Sequence, residues 1–167
     1  IGLKNAGGTT KITGEFRDGS GDYEDLQGTI LSNASGGWYH VVFTFDDSSN
    51  RIRLYVNGSQ VASKTHNNST VNQNSAFSIG RRHDTNGAYY DGKIDEVAYW
   101  DTELSANEIS ALYNSGTPLS ASSNSGNYSS SGNLVMYYQF QENLNDSEGS
   151  FDLTNYNNNI GSSNYVA

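Results

Sequence analysis

The chain reads as an all-β protein, an antiparallel β-sandwich with one short α-helix near residues 106–114. Three observations predict this. From Lys11 to Trp100 apolar residues recur with period two, the spacing that places them on one face of a strand. Turn residues break the pattern about every 6 to 12 positions, as they do in sandwiches and barrels. One stretch alone, Ser105 to Gly116, carries helix punctuation.

Lys11–Arg17 and Gln27–Leu31 are the first two predicted strands. Tyr39-His-Val-Val-Phe-Thr-Phe45 follows, with Val41, Phe43 and Phe45 on one face, and the polar run from Asp46 to Asn50 turns the chain. Arg51–Val56 answers with Ile52, Leu54 and Val56 on one face and Arg51, Arg53 and Tyr55 on the other. Asn57-Gly58 then accepts positive φ at both central positions of a type I′ hairpin turn, and Val61 and its neighbours return antiparallel. Ala76–Gly80 and Lys93–Trp100 are two further predicted strands. Ser105-Ala-Asn-Glu108 is a capping box, Leu104 and Ile109 sit where a hydrophobic staple sits, and Gly116 is placed for the left-handed residue beyond the helix. These signals predict a helix over about Ala106–Asn114, its stripe of Ile109, Leu112 and Tyr113 too short to be stable unless packed on the sheets. Thr117–Asn133 has the Ser/Gly/Asn composition of a linker. Leu134–Phe140 reads as a strand again, and the region from Asn155 to Asn164 is asparagine-rich and of low complexity.

Composition bounds the function. At 167 residues the chain is one ordinary domain's worth. Only 34% of it is hydrophobic and 16% charged, and 21 Asn, 24 Ser, 11 Thr and 18 Gly fill the gap. Twelve tyrosines in a chain that is 12% aromatic argue against disorder throughout. Without cysteine there is no disulfide framework, thiolate zinc site or cysteine nucleophile. No run approaches the roughly 18 to 20 apolar residues of a membrane span. The net charge is −9. All nine Lys and Arg lie between Lys4 and Lys93, where nine acids offset them, and nine more acids from Asp95 to Asp152 face no basic residue in sequence. Nucleic acid would be repelled by such a surface, so it is not an expected partner.

Gly37-Trp-Tyr-His-Val-Val-Phe-Thr-Phe-Asp46, Leu54-Tyr-Val-Asn-Gly58, Ser78-Ile-Gly80, Tyr90-Asp-Gly-Lys-Ile-Asp-Glu-Val97, Trp100 and Leu104-Ser-Ala-Asn-Glu-Ile109 together resemble the laminin-G-like domains of the concanavalin A-like lectin/glucanase superfamily. The resemblance runs in order through residues 1–116 and implies a jelly-roll sandwich. Its opening strands have no counterpart ahead of the first matched motif. Leu134–Phe140, the Asn145-Asp-Ser turn and Asp152-Leu-Thr154 resemble those opening strands instead. The division expected is therefore a sandwich over 1–116, a linker over 117–133, and over 134–167 either the opening of a following module or a permuted strand that completes the first. The fold hosts lectins, adhesion modules, enzymes and spacers alike. Non-catalytic recognition of a glycan or surface ligand is the leading expectation. The alternatives are a structural spacer or assembly module and, remotely, a glycoside hydrolase. The serine-rich segment also resembles linkers in large surface proteins of marine bacteria and their phages, which implies an extracellular or virion-surface setting, with neighbouring modules or copies as partners.

Candidate sites follow from residue chemistry. Arg81–Asp91 gathers cations, carboxylates, an amide and tyrosines in one loop, so His83, Asp84, Asn86, Tyr89 and Asp91 are the candidate ligand-binding residues, with Tyr23 as a second aromatic. The alternative is an ordinary hairpin loop. Tyr90 matches a buried aromatic of the family, which leaves Tyr89 to face outward. Calcium is the candidate cofactor, since it takes oxygen ligands. Asp18, Asp22 and Asp25 crowd one turn that is either solvated or a metal loop, and the resemblance implies a second place for the ion at Asp95 with Asp146. Asp95 and Glu96 invite comparison with the paired carboxylates of glucanases, but neighbours on one strand point to opposite faces.

Overall fold

The computed structural model describes residues 1–6, 9–17, 23–31, 37–66, 77–81 and 89–155, with the backbone alone at 5–6, 16–17, 23–24 and 29–31. Among them are eight strands and one α-helix: β1 (Gly2–Ala6), β2 (Thr9–Arg17), β3 (Tyr23–Leu31), β4 (Val41–Asp46), β5 (Arg51–Val56), β6 (Ser59–Thr65), β7 (Val97–Trp100), α1 (Ala106–Tyr113) and β8 (Leu134–Tyr138). The strands form three antiparallel sheets, β1-β2-β3, β4-β5-β6 and β7-β8.

The alternation of β4 and β5 organises the layers. Ile52, Leu54 and Val56 on one face of β5 are buried with Ile12 of β2 and Leu26 of β3, and Val41, Phe43 and Phe45 of β4 pack against them. This is the sandwich core. The two sheets approach so closely that a Cβ on Gly28 would lie 2.8 Å from side-chain carbons of both Leu54 and Val61. The opposite face of the middle sheet is covered as well. Tyr55 and Val42 pack there with Leu104, Ile109 and Leu112 of the helical segment, with Trp100 and with Tyr128. Arg53 pairs with Glu103, which also accepts the Thr44 hydroxyl at 2.8 Å, so the loop before α1 is tied to the same face.

The helix starts as its punctuation dictates. Ser105 accepts from the Glu108 amide and the Glu108 carboxylate accepts from the Ser105 amide at 3.0 Å. Asn57 and Gly58 both have positive φ, as a type I′ turn requires, and Tyr113 of the helix rests on Gly58. The helix end differs from expectation: Asn114, not Gly116, makes the first left-handed turn, with φ 41°. Asparagine tolerates that conformation better than other non-glycine residues.

Three other expectations are corrected. β1 is absent from the sequence pattern, because Gly2-Leu-Lys-Asn-Ala6 has neither alternation nor strand propensity and gains its place by pairing with β2. Ala76–Gly80 is not a strand over its described residues 77–80. Lys93–Glu96 does not belong to β7, since Glu96 has φ 55° and so breaks the extended run.

Thr117–Asn133 has a linker's composition but is packed. Tyr128 is 1% exposed. Its hydroxyl receives the Trp100 indole N–H at 2.9 Å and donates to the Ala121 carbonyl at 2.7 Å. Ser129 and Ser130 donate to the Glu108 carboxylate. Although burial of Glu108 works to raise its pKa, the Ser130 hydroxyl, the Ser105 amide and hydroxyl and the Ser129 amide hold it down at about 2. The segment thereby delivers β8 to β7, with Val97 opposite Tyr138 and Ala98 opposite Tyr137.

Tyr128→Phe should destabilise the chain by about 1–3 kcal/mol, because the Trp100 N–H and the Ala121 carbonyl are both left without their partner in a buried setting. Urea unfolding measures it. A change below about 0.5 kcal/mol, the range of an ordinary surface substitution, would mean that residues 117–133 do not form part of the folded unit.

Candidate functional site

Where β7 and β8 meet the end of α1, a small cleft opens to solvent. His40, Glu96, Trp100 and Tyr137 supply its rings and its carboxylate, and Ala98, Leu112, Pro118, Leu119 and Ala121 complete the wall. Each ring is held in place. His40 precedes β4, where its amide donates to the Asn57 side chain at 3.0 Å and its carbonyl accepts the Asn57 amide at 2.8 Å. Tyr113 stacks on its imidazole with centroids 5.9 Å apart. Trp100 is fixed by its bond to Tyr128. Tyr137 is 1% exposed and donates its hydroxyl to the Glu96 carboxylate.

The electrostatics of the cleft are unusual for so acidic a region. Burial lowers the pKa of His40, so the imidazole is held neutral, and its Nδ1 is buried without a hydrogen-bond partner. Glu96 is an exposed residue whose carboxyl turns in toward Tyr137. Desolvation pushes its pKa up against the Tyr137 hydrogen bond, and the neighbouring Asp95 charge adds to the rise. Desolvation also raises Asp95, whose Oδ1 is buried and unpartnered. The arrangement can accept hydrogen bonds and attract a cation.

Asp146 does different work. It is 7% exposed. Its Oδ1 accepts the Tyr137 and Glu148 amides at 2.9 and 3.2 Å, and its Oδ2 accepts the Phe151 amide at 3.3 Å. Burial works to raise its pKa, and these amides together with that of Gly149 outweigh it and bring the pKa down. Four backbone N–H dipoles thus face the carboxylate that the sequence pairs with Asp95 as a calcium ligand. Its role is to fasten the 146–151 turn to β8. Asp25 lies within β3, where its Oδ2 pairs with Lys4 at 2.8 Å and its Oδ1 is buried without a hydrogen-bond partner. Asp18 and Asp22 lie outside the described residues. No group of three or more His, Asp or Glu side chains among the described residues is disposed to hold a metal ion.

Of the ligand-binding candidates, His83, Asp84 and Asn86 also lie outside the described residues, and Tyr23 is described by its backbone alone, paired with Arg17. Asp91 is exposed and Tyr89 is 55% exposed. Tyr89 bridges to Arg81, and the Tyr90 amide donates to the Gly80 carbonyl at 2.8 Å. The expected burial of Tyr90 is corrected: it is 43% exposed. Its ring lies over Gly92, where a Cβ would come within 2.7 Å of it. The cleft itself is not foreseeable in sequence. Its residues come from five separate segments, and the one available signal is the pair of adjacent acids that follow the last cation of the sequence, Lys93.

A laminin-G-type family profile, described as the concanavalin A-like lectin/glucanases superfamily, matches residues 1–110. The chain belongs to that superfamily. Its laminin-G-like part thus includes the sandwich, β7 and the first turn of α1. A search of curated proteins finds no match. Among solved structures, the crystal structure of an S-layer domain-containing protein (residues 221–444) from Clostridium thermocellum is similar at 25% identity and a TM-score of 0.42. That match covers 64% of this chain and 52% of the other, so this chain spans about half the length of its structural relative.

Asp146→Asn tests the amide cup of this lectin/glucanase-type domain. An amide nitrogen would replace Oδ2 opposite the Phe151 N–H, at an expected loss of about 1–3 kcal/mol at pH 7. Because the folded-state pKa of Asp146 lies below its unfolded value, this stabilisation is present above about pH 4 and is lost as pH falls through the folded value. Thermal melts should therefore separate the two proteins at neutral pH and converge on acidification. Equal melting temperatures at pH 7 would contradict the assignment.

Proposed function

We propose that this laminin-G-like chain is a non-catalytic recognition module of an extracellular or virion-surface protein, and that it binds a glycan or another surface ligand through the rim at Tyr89–Asp91. The outward ring of Tyr89 carries this reading, since it is 55% exposed on a segment anchored at its base to residues 80 and 81. A flat apolar face exposed two residues from the carboxylate-bearing Asp91 suits a pyranose, which offers one apolar face and a belt of hydroxyls. Superfamily membership supports the same class of function without naming the ligand.

A second reading, an assembly module, draws on another observation. Phe77 is 52% and Phe151 59% exposed beside the buried Tyr138, with Phe77 stacked on that ring at 6.2 Å. Exposed aromatic surface of this kind suits docking to a neighbouring module.

Tyr89→Ala separates these roles. Stability should change by less than about 0.5 kcal/mol, as for other surface substitutions, while glycan or surface binding weakens by about 1–3 kcal/mol, the value of covering an aromatic ring face with ligand. A glycan array probed with the whole chain and its variant reads the second effect. Unaltered binding by the variant would remove Tyr89 from the site, and no signal from either protein would favour the assembly reading.

A further inference from the structure

We propose that the cleft lined by His40, Trp100, Tyr137 and Glu96 binds an organic alkylammonium group, a positively charged nitrogen carried on methyl or methylene carbons. This is independent of the rim at Tyr89. Three aromatic rings and one carboxylate around a small apolar space make the arrangement that recognises such cations, since ring faces attract positive charge and the alkyl carbons fill the wall.

Three features support the assignment. The rings are set before any ligand arrives: Trp100 by its bond to Tyr128, Tyr137 by its bond to Glu96 and the His40 imidazole by stacking on Tyr113. Binding therefore need not order mobile side chains, which lowers its cost. The charge of Glu96 is also uncompensated. The ion pairs among the described residues involve Asp25, Asp46 and Glu103, and the sequence holds no Lys or Arg after Lys93. Asp95 adds a second acid beside it, its Oδ1 buried and unpaired. The imidazole supplies no competing positive charge, because burial favours its neutral form.

The chemistry of the walls selects the kind of cation. An inorganic ion would surrender its water for one carboxylate and apolar carbon. An alkylammonium brings its own apolar shell and meets Ala98, Leu112 and the lining rings without that penalty. The space is small and open to solvent, so it admits a compact head group or the end of a side chain and not a larger ligand. The shared chemistry has two sources, a choline-type head group or the end of a lysine side chain on a partner.

Tetramethylammonium chloride titrated into the whole chain, followed by NMR, tests the proposal. The Trp100 indole N–H and the His40 ring signals should shift to saturation. Neutral tert-butanol, of similar size, should bind about tenfold or more weakly, and Glu96→Gln should weaken tetramethylammonium by about tenfold. Choline and n-butylammonium in parallel identify the source by whichever binds more tightly. Equal responses to tetramethylammonium and tert-butanol, or shifts that sodium chloride reproduces, would overturn the proposal. The comparison with tert-butanol is made on the unaltered chain, so it decides even if Glu96→Gln disturbs folding.

Discussion

A strand that buries side chains on both faces has to be covered twice, and β5 is such a strand. Ile52 and Leu54 are fully buried on one side and Tyr55 is 4% exposed on the other. The sheet β1-β2-β3 covers the first face. The second is closed by Leu104, α1, Trp100 and Tyr128, most of them beyond residue 100. An eight-residue helix is unstable by itself in water. It persists because its stripe is the lid of that face, and because Ser129 and Ser130 reach back to its first turn through Glu108. The cleft at His40 is a consequence of the same closure, formed where lid, hairpin turn and β7-β8 ribbon meet.

The acidic half of the chain settles most of its buried charge without cations. Glu108 is satisfied by hydroxyls and amides and Asp146 by amides, and in both the donors overcome the cost of burial. Short charge-assisted bonds of this kind hold loops as effectively as ion pairs and need no long side chain to be ordered. Asp95 and Glu96 are the exception. Burial pushes both upward because their donors are too few. Raised carboxyls beside a cleft are the local pattern by which functional sites are recognised, and here they coincide with three fixed rings.

Much of the fold is legible from residue order. The alternation of Ile52, Leu54 and Val56 marks the core strand, Asn57-Gly58 marks the hairpin, and Ser105 with Glu108 marks the helix start within a residue. What escapes is set by tertiary contact. β1 exists because β2 offers it an edge, and the serine-rich segment is ordered because Tyr128 finds Trp100, a pairing that composition hides. The site is harder to read. The amides that gather on Asp146 are not legible in sequence, because they come from Tyr137 on β8 and from the turn that follows it. Glu96 reads as a strand residue because its left-handed backbone, unusual for glutamate, leaves no mark in sequence. Family pattern separates Tyr89 from Tyr90, whereas the ring of Tyr90 rests on Gly92 and stays exposed.

Double coverage of β5 makes one cooperative unit of segments that the sequence separates by a linker-like stretch. Native-state hydrogen exchange tests this most directly. The amides of Tyr128, which donates to Ser125, and of Tyr137, which donates to Asp146, should be protected to the same extent as those of β4 and β5 and should exchange together with them as urea is added. Free exchange at Tyr128 and Tyr137 while β4 and β5 stay protected would contradict it, and would make the sandwich a unit that stands without its second lid.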